Sequence, residues 1–191
     1  MCGSYYENLP YNWEIATLAQ ISYFERGITF PASAKELILN EANIPCIRTA
    51  NVQDEFEIDD LIYVDRKYIK SNKNKLLQKG DIIMSSANSK ELVGKTCIVK
   101  ELKAEMTFGG FVIAIRGIVV NRKYLHLCLR DLFNKGAFIK ESTQTTNIAN
   151  VNTETLTSMQ IPIPSLYEQN RIVDAVEVLF EKLSEIEKSL S

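Results

Sequence analysis

Residues 161–191 read IPIPSLYEQNRIVDAVEVLFEKLSEIEKSLS, and they contain the strongest helix pattern in the chain. Pro164 ends any preceding strand, and Ser165 followed three residues later by Glu168 forms a capping box, which predicts that a helix begins here. No Pro or Gly follows Pro164. We therefore expect the helix to continue to residue 191, over a length of about 37 Å.

An apolar seam runs along this predicted helix, with alternating spacings of four and three residues, the a and d pattern of a coiled coil. The seam consists of Ile172, Val176, Leu179, Leu183, Ile186 and Leu190. Such a narrow stripe predicts a second helix as its partner, because a helix that packs on its own domain shows a wider apolar face. Val173, Val178 and Phe180 broaden the stripe, so part of the helix is also expected to contact its own domain. The pattern still runs at the last residue, which fits a longer parent chain or a partner that supplies the second helix.

The composition is typical of one globular domain with an appendage. The 191 residues are 46% hydrophobic, which is enough to build a core. No apolar run reaches the roughly 18 residues of a transmembrane helix. The first residues, Met-Cys-Gly-Ser-Tyr-Tyr-Glu-Asn, lack the basic and apolar segments of a signal peptide, so we expect a cytoplasmic protein.

The four cysteines and the single histidine show no spacing that would hold a zinc ion, and no metal or cofactor is predicted. Cys2, Cys46, Cys97 and Cys128 are far apart and include no C-x-x-C pair. They are expected to be buried free thiols in a reducing compartment. His126 has no nucleophile beside it in the sequence, so a catalytic role is not predicted for it.

The net charge of −2 conceals an uneven distribution along the chain. Residues 66–164 contain sixteen Lys and Arg against seven Asp and Glu, whereas residues 41–65 contain one Arg against seven acids. The acidic cluster in residues 54–60 is expected to be a solvated loop rather than a cation site. The basic middle of the chain is where a polyanion is expected to bind.

Polar stretches next to predicted strands contain side chains that can read base edges or bind phosphates. The predicted DNA-binding residues are Arg48, Thr49, Asn51, Lys73, Lys75, Ser86, Asn88, Lys90, Lys95, Thr143, Gln144 and Asn147. For Arg48 the alternative is an ion pair with an acid of residues 54–60. For the basic run in residues 66–80 the alternative is a solvated helix face.

Several elements of the globular part are predicted from local patterns. Buried strands are predicted for residues 82–84, 93–99 and 111–115, from their short apolar runs. A helix is predicted between Asn121, its cap, and Gly136, which ends it. Two prolines restrict residues 159–164 to an edge strand.

A catalytic function has weaker support in the sequence. A DNA methyltransferase needs a glycine-rich cofactor loop and an Asn/Asp-Pro-Pro-aromatic segment, and neither motif is present. Asp81, Glu101 and Lys103 resemble the acids and lysine of a small metal-dependent nuclease, but such loose spacing is common by chance. A coiled-coil adaptor that binds no nucleic acid is a third interpretation.

Several motifs resemble those of specificity subunits of type I restriction-modification enzymes. The most specific is I-P-I-P-x-x-x-E-Q-x-R-I-V at residues 161–173, which is similar to the end of a target-recognition domain and the start of its spacer helix. Four further stretches resemble the family less specifically, but they occur in the same order along the chain as in its members. They are L-P-x-x-W at 9–13, I-P-x-I-R-T-x-N-V at 44–52, K-G-D-I-I-M-S with L-V-G-K-T-x-I-V within 79–99, and T-Q-x-x-N-I at 143–148.

The resemblance implies an α+β fold, with a mixed-sheet target-recognition domain over residues 1–164 and a coiled-coil spacer helix over residues 165–191. It implies a non-catalytic subunit that reads one half of a split DNA target through the major groove. In this family the spacer helices pack as an antiparallel pair, set the distance between half-sites and dock the methyltransferase subunit, which the restriction subunit joins. Full-length members have two such domains, so the chain is either a fragment or a half-subunit that dimerises through the seam.

Overall fold

The computed structural model describes residues 6, 8–140, 143–145 and 148–190, and its fold is α+β. The strands are β1 (Glu14–Thr17), β2 (Ser22–Arg26), β3 (Asn43–Ile47), β4 (Ile62–Asp65), β5 (Ile82–Ser85), β6 (Ala87–Asn88), β7 (Thr96–Ile98), β8 (Thr107–Phe108), β9 (Val112–Gly117), β10 (Thr143–Thr145), β11 (Ile148–Asn150) and β12 (Gln160–Ile163). The helices are α1 (Leu18–Ile21), α2 (Arg122–Asn134), α3 (Ala137–Lys140), α4 (Thr153–Ser158) and α5 (Leu166–Leu190). No helix within the described ranges is long and apolar enough to cross a membrane.

The described strands form four sheets. The largest is antiparallel and has the order β2-β9-β5-β7. The sheet β4-β3-β8 is mixed, because β3 runs antiparallel to β4 and parallel to β8. Two smaller antiparallel sheets, β10-β11-β6 and β1-β12, connect the last third of the chain to earlier segments.

The central strands are buried on both faces, because their side chains alternate between two cores. Ile82 and Met84 of β5 lie in the core that includes α2, whereas Ile83 lies in a second core with Phe108. Strand β9 alternates in the same way. The buried strand predicted at residues 82–84 is confirmed. The strand predicted at residues 111–115 is present as β9, but it begins at Val112, and Phe111 is exposed outside it. Double-sided burial explains why neither strand shows polar alternation in its sequence.

The structure corrects two predicted elements. The strand predicted over residues 93–99 is shortened to β7, because Gly94 has a φ of +85° and turns the chain before the strand begins. The basic run in residues 66–80 forms two short 3-10 helices, Arg66–Ile69 and Lys73–Lys75, instead of one helix face. The predicted edge strand is confirmed as β12, which pairs only with β1 in the described chain.

Helix α2 has the predicted cap and the predicted end. Asn121 Oδ1 accepts hydrogen bonds from Lys123 N at 2.8 Å and from Tyr124 N at 3.2 Å. Gly136, with a φ of +68°, follows the helix and redirects the chain. The apolar face of α2, which includes Leu129, covers one side of the central sheet.

Helix α5 begins after Ser165, as predicted, but only half of the capping box forms. Ser165 Oγ accepts a hydrogen bond from Glu168 N at 3.3 Å. The Glu168 carboxylate binds Arg171 at 2.6 and 2.8 Å, and this hydrogen bonding lowers the pKa of the carboxyl. The second bond of the predicted box is therefore wrong, because an arginine three residues further along the helix offers a charged donor.

The first turns of α5 pack on the domain. Gln169 is 1% exposed, and its Nε2 donates to Pro164 O while its Oε1 accepts from Asn121 N, both at 2.9 Å. Val173 is buried in the core, and Glu177 pairs with a lysine of α2 at 2.6 Å. The expected contact between the helix and its own domain is confirmed here. These contacts join the two segments on either side of the predicted domain boundary.

Replacing Gln169 by alanine is expected to lower the free energy of unfolding by about 1–3 kcal/mol, because buried backbone groups lose their partners. Urea unfolding followed by circular dichroism measures this change. The matched control is Gln160→Ala, which truncates an exposed glutamine and is expected to change stability by less than about 0.5 kcal/mol. Equal effects of the two substitutions would contradict the anchoring role of Gln169.

The seam is exposed beyond these first turns. Leu179, Leu183, Ile186 and Leu190 are 60, 54, 53 and 83% exposed. Ile172 and Val176 lie closer to the domain and are half-buried. Of the three residues that broaden the stripe, only Val173 is buried, since Val178 and Phe180 are exposed. A ridge of large apolar side chains thus faces solvent over about three turns of α5, and a partner helix remains our prediction for it.

The described cysteines are buried free thiols, as predicted. Cys46, Cys97 and Cys128 lie in or beside the cores, where burial raises the pKa of each thiol to about 12. These thiols are therefore protonated and unreactive at neutral pH. Cys2 lies outside the described residues.

Candidate nucleic-acid interface

Two of the predicted polar stretches meet in the small sheet β10-β11-β6. The register pairs Asn88 with Ala149 on one side of β11 and Gln144 with Ala149 on the other. The two predicted DNA-binding positions therefore lie in one row about 10 Å apart, since neighbouring strands are separated by about 4.8 Å. Thr143 precedes Gln144 in β10, whereas Asn147 lies outside the described residues.

Ser86 joins this small sheet to the turn that precedes β9. Its N and Oγ both donate to Phe111 O, at 2.9 and 3.0 Å, and its carbonyl accepts from Val151 N at 2.9 Å. The side chain is buried, so its hydroxyl is occupied inside the protein. The structure gives Ser86 a positioning role, and we leave it out of the proposed contact surface.

Asn88 and Lys90 differ in how freely they can meet a ligand. Asn88 is half-buried, and its Nδ2 donates to Ser85 Oγ at 3.0 Å while its Oδ1 accepts from Ser89 N at 2.9 Å. These two bonds fix the orientation of the amide. Lys90 is exposed and forms no ion pair with a described residue, so its ammonium group is available to a phosphate.

The loop after β3 is held by its own polar side chains. Arg48 Nη2 donates to Asp60 O and Oδ2 at 2.7 and 2.8 Å, so the alternative of an ion pair with the acidic segment is confirmed. Asn51 is 2% exposed, accepts from Arg48 N at 2.8 Å and donates to Asp59 O at 2.9 Å. In this conformation Asn51 stabilises the loop and presents no free amide to a base. Thr49, which precedes it, is partly exposed.

Acidic partners also occupy two of the predicted lysines. Lys75 forms an ion pair with Glu25. The side chain of Lys95 is 16% exposed, and its ammonium lies 3.6 Å from Asp54. Lys73, by contrast, is exposed and forms no ion pair within the described ranges, so it remains available to a phosphate.

A cavity of about 500 Å³ opens beside the loop after β3. Its walls are basic and apolar, because Arg26, Lys35 and Arg48 contribute positive charge while Phe30 and Phe111 contribute aromatic rings. No acidic residue of the described chain lines it. Phe111 is 66% exposed, which is unusual for an aromatic residue directly before a buried strand.

Sequence reasoning missed Arg26 and Lys35, because only the tertiary fold brings them to this cavity. Gly27 makes the close approach possible, since a Cβ at this position would lie 2.2 Å from Gly109 O. The sequence feature that could have indicated this region is the pair Gly109-Gly110 before Phe111, because adjacent glycines allow a close approach of two backbones. This feature locates the turn but not the residues that face it.

The residues considered for a nuclease do not form a metal site. Asp81 is buried and binds Arg116 through both carboxylate oxygens, at 2.8 and 2.9 Å. Glu101 and Lys103 lie on an exposed loop. Among the described residues, no group of three or more His, Cys, Asp or Glu is placed to hold a metal ion. His126 is buried, and this burial lowers its pKa and keeps the ring neutral at pH 7.

Comparison with known proteins links the chain to restriction-modification systems. The family model described as "Type I restriction modification DNA specificity domain" matches residues 10–191. The chain is 28% identical over 180 residues to the "Type I restriction enzyme StySPI specificity subunit" of Salmonella potsdam. It is 28% identical over 178 residues to the "Type I restriction enzyme EcoKI specificity subunit" of Escherichia coli (strain K12). Each alignment covers 92% of this chain but 38% of the relative, so the chain spans well under half of their length.

Solved structures share the fold. The HsdS subunit from Thermoanaerobacter tengcongensis matches with a TM-score of 0.71 and 19% identity, over 97% of this chain and 41% of that chain. The type I restriction-modification S subunit from M. genitalium matches with a TM-score of 0.61 and 14% identity, over 95% of this chain and 43% of that chain. This likeness confirms the predicted fold class, α+β with a long C-terminal helix.

Proposed function

The chain belongs to the family of type I restriction modification DNA specificity domains, and we propose that it recognises a DNA sequence without catalysing a reaction itself. The observation that supports this proposal most directly is that a family of DNA specificity domains accounts for almost the whole chain. The relatives are named as specificity subunits, not as the nuclease or the methyltransferase of their enzymes. The nuclease alternative loses support because the carboxylate of Asp81 is already bound by Arg116.

We infer that one chain reads one half of a bipartite target through the major groove. The chain has one sheet-containing domain and one long helix, and its relatives are more than twice as long. Reading two half-sites would need a second unit of this kind. The exposed ridge of α5 offers a place where that unit can pack, either as a second copy or as the other half of a longer chain.

The proposal includes the methyltransferase and restriction subunits as protein partners. Its support is that the relatives are specificity subunits of type I restriction enzymes. We expect the methyltransferase subunit to dock on α5, because the family resemblance assigns that role to the spacer helix. The complex would act on double-stranded DNA in the cytoplasm.

The proposed contact surface keeps the accessible members of the predicted set and assigns the buried or paired ones to support. The contact residues are Thr49, Lys73, Asn88, Lys90, Thr143 and Gln144, together with Asn147, which lies outside the described residues. The supporting residues are Arg48, Asn51, Lys75, Ser86 and Lys95.

Replacing Lys73 and Lys90 together by glutamine is expected to weaken binding to every duplex sequence and to flatten its salt dependence. Each lost phosphate contact removes about 0.9 from the slope of log K against log salt concentration, so the slope is expected to decrease by about 2. A bound duplex is first selected from a random pool in the presence of the modification subunit. Its affinity is then measured by fluorescence anisotropy between about 50 and 200 mM salt.

The matched control replaces Lys100 and Lys103 by glutamine, which changes the net charge equally at exposed positions outside both the contact surface and α5. This control is expected to keep the slope of the parent chain. An unchanged slope in the Lys73 and Lys90 variant would remove both residues from the interface. Failure of the parent chain to bind any duplex in the pool would favour the coiled-coil adaptor over the DNA reader.

A further inference from the structure

We propose that the cavity beside Arg48 is a binding site for one nucleoside phosphate unit. Two sources share this chemistry: a free nucleotide, and a nucleotide of the DNA strand that the protein contacts. The second source rests on the proposed function, whereas the first does not. The argument uses the size, charge and apolar walls of the cavity.

The cavity has the size of a small-molecule site. Its volume of about 500 Å³ lies within the range of about 300–1,000 Å³ that ligand pockets occupy. A single inorganic anion would leave most of this space unfilled. A ligand that combines a phosphate with a planar ring fits the volume better.

Three cationic side chains from separate segments line the cavity, and no described acidic residue does. Arg26 ends β2, Lys35 follows a 3-10 helix (Ala32–Ala34), and Arg48 follows β3. Arg26 is exposed and donates from Nη1 to Gly110 O at 3.2 Å, while Lys35 is exposed and has no ion-pair partner in the described chain. Arginine and lysine together suit a phosphate group, which they bind through charge-assisted hydrogen bonds.

Arg48 has an unused donor. Its Nη2 binds Asp60, but its Nε is buried and has no hydrogen-bond partner among the described residues. A buried N–H without an acceptor is unfavourable, so a phosphate oxygen that reached it would stabilise the site. Both hydrogen bonds to Asp60 come from Nη2, so they leave Nε without an acceptor. The ion pair itself contributes little, because the Asp60 carboxylate is 89% exposed and water screens it.

The remaining wall of the cavity is apolar and aromatic. It includes Ile28, Phe30 and Ile62, with the exposed Phe111 at the turn before β9. Bases stack on aromatic side chains whatever their identity, because every base has a π-face. The two hydrogen bonds from Ser86 to the Phe111 carbonyl hold Phe111 next to β6. Strand β6 belongs to the small sheet β10-β11-β6, which contains the predicted contact residues Asn88 and Gln144.

The test titrates the intact chain in a calorimeter with deoxyadenosine monophosphate, deoxyadenosine and inorganic phosphate. The nucleotide is expected to bind more tightly than either part alone, because it uses both the cations and the aromatic wall. Lys35→Gln is expected to weaken nucleotide binding about tenfold or more. Ala32→Trp, which places a large ring at the cavity wall, is expected to abolish it.

Lys103→Gln is the matched control, because Lys103 is also exposed but lies outside this cavity. It is expected to leave nucleotide binding unchanged. The thermal unfolding midpoint of each variant is compared with that of the parent chain. Since Ala32 and Lys35 are both exposed, the midpoints are expected to agree.

Binding of duplex DNA by the same variants separates the two sources. Loss of nucleotide binding with unchanged DNA affinity would identify a free nucleotide as the ligand. Loss of DNA affinity in both Lys35→Gln and Ala32→Trp, without binding of free nucleotide, would identify a nucleotide of the bound strand. The proposal is overturned if no free nucleotide binds and neither variant changes DNA affinity. A chain that binds nucleotide but no DNA would refute the proposed function and support the cavity as a nucleotide site.

Discussion

The Asp81→Ala variant is expected to lose about 3–5 kcal/mol of unfolding free energy, because it leaves the Arg116 guanidinium without its partner in a buried site. The two side chains are 1% and 14% exposed, and both carboxylate oxygens accept hydrogen bonds from Arg116, at 2.8 and 2.9 Å. Asp81 Oδ2 also accepts from Gln78 N at 2.9 Å, so the turn before β5 loses a bond as well. After the substitution, Arg116 keeps the bond from its Nη2 to Leu76 O at 2.9 Å, which does not neutralise the charge.

Urea unfolding of Asp81→Ala, with Glu105→Ala as the control, measures this effect. Glu105 pairs with Arg66 at 3.1 Å, but both side chains are exposed, so its loss is expected to cost less than about 1 kcal/mol. The double variant Asp81→Leu with Arg116→Met removes both charges and is expected to regain part of the stability. If Asp81→Ala cost no more than Glu105→Ala, the buried pair would have no special role in holding β5 to β9.

Asp81 also shows which part of the site could not be predicted from the sequence. An acid directly before a buried strand fits a metal ligand and a structural ion pair equally well. Its partner Arg116 comes from β9, and only the antiparallel register of β5 and β9, which pairs Ile82 with Ile115, places the two charges together. Register depends on how two strands pack in the core, and local sequence patterns do not contain that information.

The elements that depend on near neighbours were predictable. The Asn121 cap, the start of α5 after Ser165 and the edge strand with Pro162 each follow from the chemistry of residues within about one turn. The same reasoning failed where a third group competed locally. At Glu168 the competitor is Arg171, which binds the carboxylate that would otherwise accept from the backbone. The capping-box pattern considers only Ser165 and Glu168, so it does not include this arginine.

The fold of the acidic segment, residues 54–60, decides which of the predicted DNA-binding cations are already paired within the protein. Charge counted along the chain separates a basic middle from an acidic stretch, but folding brings residues 54–60 back onto the basic part. Asp60 forms an ion pair with Arg48. A carboxylate oxygen of Asp54 lies 3.6 Å from the side-chain nitrogens of both Lys95 and Arg130. Distribution of charge in the sequence therefore predicted that a basic surface exists, but it overestimated how many cations remain free.

The largest effect on association is expected from a charge in the exposed seam. Leu183→Glu should raise the dissociation constant of the paired helices at least about 100-fold, because position a faces the partner and the carboxylate would be buried unpaired. Leu183 is 54% exposed, whereas the contacts that anchor α5 on the domain come from Gln169, Val173 and Glu177. Folding of the domain is therefore expected to be unchanged.

Sedimentation of the parent chain and its variants over a range of concentrations measures this association. Ser184→Glu is the matched control, because it adds the same charge one residue later, on the outer face of the helix. Deleting the helix from residue 165 onward is a poor test, since it also removes Gln169 and Val173 from the core. Deletion from residue 179 onward removes the exposed ridge but keeps Gln169 and Val173, which attach the helix to the domain.

Whether each of these variants is a monomer or a dimer decides what the ridge contacts. A dimeric parent chain, a folded monomer for Leu183→Glu and a dimer for Ser184→Glu would show that two copies pair through the seam, which would hold two reading domains at a fixed separation. A monomeric parent chain would contradict pairing of identical copies and leave the other half of a longer chain as the partner. A dimer that survives both Leu183→Glu and deletion from residue 179 would place the contact elsewhere, and the apolar ridge would then need a different partner, such as the methyltransferase subunit.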